Sequence, residues 1–131
     1  MKDLNRKVGE VNYDGLISDI NPPVEVRGRV IAKMESEQTF PRGTVFSISK
    51  ENGKLYPLGS TAESGDTLTP DCILCDDTKV GTSDDVSVTV YTVGCFNTAK
   101  VTVEDGYSVT RDDFDELRKR GIVFKSAFDS N

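Results

Sequence analysis

The chain has 131 residues, 16 Lys and Arg against 22 Asp and Glu, a net charge of -6, and neither His nor Trp. A chain of this length makes one domain that can bury roughly two-thirds of its unfolded surface without disulfide staples. Lacking imidazole excludes the commonest general base and the triads and zinc sites built on it. The acidic balance is the wrong sign for a broad grip on nucleic-acid phosphates.

Residues 1–23 differ from the rest. Leu4, Val8 and Val11 fall at helical spacing, Gly9 and Gly15 interrupt it, and Asn21-Pro22-Pro23 ends it. Apolar residues scattered without a firm period, Leu16, Ile17 and Ile20 among them, predict an arm that orders on a partner. On this reading, deleting residues 1–23 leaves a folded body. The segment has no apolar run of signal-peptide length. Nor does any stretch reach the roughly 18 to 20 apolar residues of a membrane span. Synthesis in the cytoplasm is the expectation.

After the double proline the pattern turns to strands. Val24 to Ile31 alternates apolar and charged residues, with Val24, Val26, Val30 and Ile31 as its apolar members. Thr44–Ser49 is a second strand, and Asn52-Gly53 predicts a hairpin into Leu55–Leu58, because both turn residues accept positive φ. Pro57 puts the return strand at an edge or at its own end.

Residues 63–85 hold seven acids against one base, Lys79, so this stretch carries the whole net charge. They read as solvated loops broken by a short run at Cys72–Cys75. Asp76-Asp77 and Asp84-Asp85 do not follow the ligand spacing of a calcium loop. The three cysteines, Cys72, Cys75 and Cys95, are too few and too odd for a disulfide framework. Cys72 and Cys75 match C-x-x-C, but no helical pattern follows, and a strand would send them to opposite faces. They read as structural thiols, with no metal or cofactor expected.

Val86, Val88 and Val90 share one face of the clearest strand, and Ala99–Val103 is predicted as its antiparallel partner. A helix is predicted over 111–120. Thr110 caps it, Asp113 completes an Asp form of the capping box, and Val109 and Phe114 form a staple. The acids lie early, the bases late, and Gly121 stops it. Ile122–Phe128 closes the chain as a strand. Phosphate loops, nucleophile elbows and marked nucleophile–base pairs are absent from the sequence, which reads as non-enzymatic.

Several short motifs occur in a telling order: Arg42-Gly43-Thr44-Val45-Phe46, then Asn52-Gly53-Lys54-Leu55, then Ile73-Leu74 followed by acids. Val88-Thr89-Val90-Tyr91 with Gly94 and Phe96-Asn97 come next, and Leu117 with Gly121-Ile122 last. From about residue 40 to 128 the chain resembles the small head decoration proteins of tailed bacteriophages, the group typified by the lambda D protein. It departs where Cys72 precedes Ile73-Leu74 in place of a common glycine, and in its longer N-terminal region. The resemblance implies a mainly β fold with one short C-terminal helix, assembled as a homotrimer. Such trimers sit on the outer capsid surface at threefold and quasi-threefold sites and cement the major capsid protein after head expansion. They help the shell resist packaged-DNA pressure, with no direct contact to nucleic acid or membrane. It further implies residues 1–39 as a capsid-facing arm and strand and 40–131 as the decoration domain. Leu4, Val8, Val11, Leu16, Ile17, Ile20, Val24, Val26, Val30 and Ile31 are then the candidate capsid contacts, by strand addition to an exposed sheet edge. The competing expectation is a small β-rich adaptor subunit of a cellular assembly.

Overall fold

A computed structural model describes residues 14–125. The strands are β1 (Ile17–Asp19), β2 (Glu25–Ile31), β3 (Gln38–Phe40), β4 (Val45–Ser49), β5 (Leu55–Pro57), β6 (Leu68–Leu74), β7 (Thr78–Val80), β8 (Val86–Asn97) and β9 (Ile122–Lys125). A 3-10 turn covers Thr98–Lys100, and the helix α1 covers Arg111–Arg120. The fold is mainly β with one helix near the C-terminus, as the sequence predicts.

β8 organises the molecule. Its first half pairs antiparallel with β2 from Ile31↔Val86 to Glu25↔Val93, and with β6 at Ile73↔Tyr91 and Leu74↔Val90. β6 pairs with β4, β4 with β5, and β5 returns to β2 at Ile31↔Leu55. These pairings close a five-stranded ring. Alternation sends Val86, Val88 and Val90 inward, where they meet Ile31, Phe46, Leu55, Cys72 and Leu74 in one buried cluster. β3 pairs only with β7, and Phe40 and Val80 of that ribbon pack into the same cluster.

The second half of β8 leaves the ring and is flanked by β1 (antiparallel) and β9 (parallel). With α1 these strands bury a second cluster outside the ring: Leu16, Ile17, Val45, Leu58, Ile73, Cys75, Tyr91, Phe96, Leu117 and Ile122. Cys72 and Cys75 lie in different clusters, on the opposite faces expected of a strand, and all three cysteines are buried and free.

The helix is built as predicted. Thr110 Oγ1 accepts from the Asp113 amide, the Asp113 carboxylate accepts from the Thr110 amide, and Gly121 closes the helix in the left-handed region at φ 103°. The hairpin is also present, with Pro57 as the last residue of β5.

Two expectations fail for reasons that lie in the packing. Ala99–Val103 is not the antiparallel partner of β8. The end of β8, where a returning strand would pair, is already flanked by β1 and β9, so the chain turns through Thr98–Lys100 instead. Thr102 then bridges to Thr44, with the Val45 amide donating to the Thr102 carbonyl at 2.9 Å. Gly43 permits this crossing, because a Cβ there would lie 2.7 Å from the Lys100 carbonyl oxygen. Nor are residues 63–85 simply loops: β6 spans Leu68–Leu74 and buries Pro70 and Asp71. The final strand ends at Lys125, and the predicted remainder, 126–128, lies outside the described residues.

Candidate functional site

The segment predicted to face a partner enters the described structure at Asp14, and Arg42 fixes that point. Its Nε donates to Asp14 Oδ2 at 2.7 Å, and a terminal nitrogen donates to the Cys75 carbonyl at 3.0 Å and to the Tyr91 hydroxyl at 2.7 Å. The guanidinium also lies 5.5 Å from the Tyr91 ring centroid. Burial pulls the Asp14 carboxyl upward, but the Arg42 guanidinium and the Leu16 amide outweigh it and hold the group below its ordinary 3.8. Further on, Asp19 Oδ2 accepts from Lys125 Nζ at 3.1 Å, which ties β1 to β9. That contact leads the causes that lower the Asp19 carboxyl.

Between these two anchors the segment joins the body. Leu16 is 1% exposed and Ile17 4%, both inside the second cluster, and Ile31 is fully buried in the ring. The protein's own core takes up these three candidate contacts. The physical reason for the burial is the pairing of β1 and β2 with β8, with Leu16 held beside the end of β8 by the Asn97 amide donating to its carbonyl at 2.8 Å. Val24 packs against the second cluster and Val30 is half-buried. Ile20, 67% exposed, and Val26, 52% exposed, are the large apolar side chains that the described surface presents to solvent. Leu4, Val8 and Val11 lie outside the described residues.

The sequence reading missed a polar centre where β6 bulges. Phe46 pairs with Cys72 but Ser47 with Pro70, so Asp71 is the extra residue of a β-bulge. It is 5% exposed, and its two oxygens meet Arg29 Nε at 3.1 Å and Arg120 at 3.4 Å. One buried carboxylate thus joins β2, β6 and the end of α1. The available signal was its setting, an acid between Pro70 and the apolar run Cys72–Leu74, unlike the other acids of that stretch.

A family model described as bacteriophage lambda head decoration protein D matches residues 7–122. The chain belongs to that family. No curated protein matches it. Membership makes this a phage head decoration protein, from a family that is structural and non-enzymatic and acts on the capsid. The match begins well before residue 40 and takes in β1 and β2, in keeping with their pairing to β8. Among the described residues, no helix is long and apolar enough to cross a membrane.

Proposed function

We propose that this protein acts as a homotrimer on the outside of the expanded phage head. It occupies threefold and quasi-threefold positions of the major capsid protein lattice and stabilises the shell against packaged-DNA pressure. The observation that carries the reading is the family match over residues 7–122. The surface supports it: Ile20 follows the anchored Asp14–Asp19 segment and Val26 lies in β2 opposite Tyr91 of β8, so an apolar contact at either is rigidly presented. The capsid-facing element is then residues 1–13 with Ile20 and Val26. The chain is made in the host cytoplasm and resides on the virion.

The test mixes purified protein with expanded and unexpanded heads and images both. Density at threefold positions on expanded heads alone is expected. A variant lacking residues 1–13 is expected to fold normally and to lose occupancy. Truncation at residue 23 is unsuitable, because it removes Leu16 and Ile17 from the core. Full occupancy after removal of 1–13 and Ile20→Ala together overturns the assignment of this surface.

A further inference from the structure

Arg27, Arg29 and Arg120 line a cavity of about 300 Å³ together with Glu25, Asp71 and Thr92. Asp71 is shared between Arg29 and Arg120, and Arg27 is exposed with no ion-pair partner among the described residues. Three cations face two carboxylates there, a positive surplus on a chain whose net charge is -6. Thr92 Oγ1 is buried and has no hydrogen-bond partner, the one such side-chain atom among the described residues. An unmade hydrogen bond of this kind is costly, and the residue that carries it is one of those lining the cavity.

The chemistry that fits is small, anionic and hydrogen-bond accepting. A carboxylate satisfies the hydroxyl and pairs with Arg27 in the geometry a guanidinium favours. A polyanion such as nucleic acid needs a row of cations, and this surplus is a single charge. The chain itself offers suitable donors of the carboxylate, since Asp76 and Asp84 are exposed and without ion pairs among the described residues. Copies that each carry -6 repel one another unless cations at the contact meet acids. A ring of three also requires a heterologous contact, in which one patch meets a different patch of the next copy. We infer that this cavity is a socket for an acidic side chain of a second copy of this chain. The inference rests on the trimer reading given above and names the surface that joins its subunits.

Light scattering across protein concentration and salt tests it with Arg27→Glu and Thr92→Val. Arg27 is exposed, so its replacement is expected to leave the unfolding temperature of the monomer unchanged. The concentration of half-assembly is expected to rise at least about tenfold in Arg27→Glu, and in wild type as salt is raised. Thr92→Val is expected to weaken assembly while raising monomer stability, a pairing that a purely structural threonine does not give. If both variants assemble like wild type, the socket is overturned and the trimer stands. If Arg27→Glu stays trimeric but leaves the heads bare, the socket belongs to the capsid and the second-copy assignment is overturned. A wild type that is monomeric at every concentration overturns the trimer reading and the socket with it.

Discussion

Replacing Leu16 with Ala separates a core role for this segment from a partner-facing one. The side chain is 1% exposed, in contact with a cluster that includes Phe96, Leu117 and Ile122. The substitution removes the equivalent of about three methylenes, each worth about 0.8 kcal/mol on transfer. The cavity left behind adds to this, giving a loss of about 3 kcal/mol. For a domain of this length each kcal/mol moves the unfolding temperature by about 3–5 °C, so a fall of about 10 °C is expected. Calorimetry of the protein without capsid, at one fixed protein concentration, reads it directly. Ile20→Ala is the control, since a side chain 67% exposed contributes little to folding and is expected to shift the transition by less than about 2 °C. The expected pattern is a destabilised Leu16 variant and an Ile20 variant that folds normally but decorates heads poorly. A Leu16 variant that unfolds with wild type refutes the burial argument and returns the segment to a partner.

Asp71→Asn leaves Arg29 and Arg120 without their shared counter-charge. Because both arginines are partly exposed, the loss is about 2 kcal/mol; an unchanged urea midpoint contradicts it. Stability is expected to be flat from about pH 8 to pH 5, because the chain has no His to titrate there. Asp14, Asp19, Asp66 and Asp85 are all held below 3.8, so their contribution is complete above that value and is lost as pH falls through their lower folded values. Urea midpoints measured against pH check this, and a slope between pH 8 and 5 refutes it. Burial lifts the Cys72 thiol well above its ordinary range, pushes Cys75 up to about 11, and raises Cys95. The native protein is therefore expected to resist a thiol-directed disulfide reagent until denatured; one fast-reacting equivalent counts against the packing.

Local signals were enough for the local elements. The helix over 111–120 was legible because its stop and start signals lie within a few residues: Thr110, Asp113, the late bases and Gly121. The Asn52-Gly53 hairpin and the Val86/Val88/Val90 face were legible for the same reason, since a turn and a period of two are properties of neighbouring residues. Composition excluded imidazole chemistry, and the ordered short motifs carried the decoration family, which the match over residues 7–122 establishes.

Tertiary structure decided everything that depended on who pairs with β8. Ala99–Val103 has the alternation of a strand, yet the end of β8 that it would pair with is already flanked by β1 and β9. Leu16 and Ile17 have the scattered spacing of an arm, yet a three-residue strand is too short to show a period and its burial comes from β8 and α1 beside it. Asp71 looked like one more acid in a solvated stretch until the bulge in β6 set it between two arginines distant in sequence. The net charge of -6 was fixed by composition. Its arrangement among the described residues, with one buried carboxylate and a cavity of arginines at the start of β2, was fixed by strand pairing, because only pairing brings residues 27, 71 and 120 together.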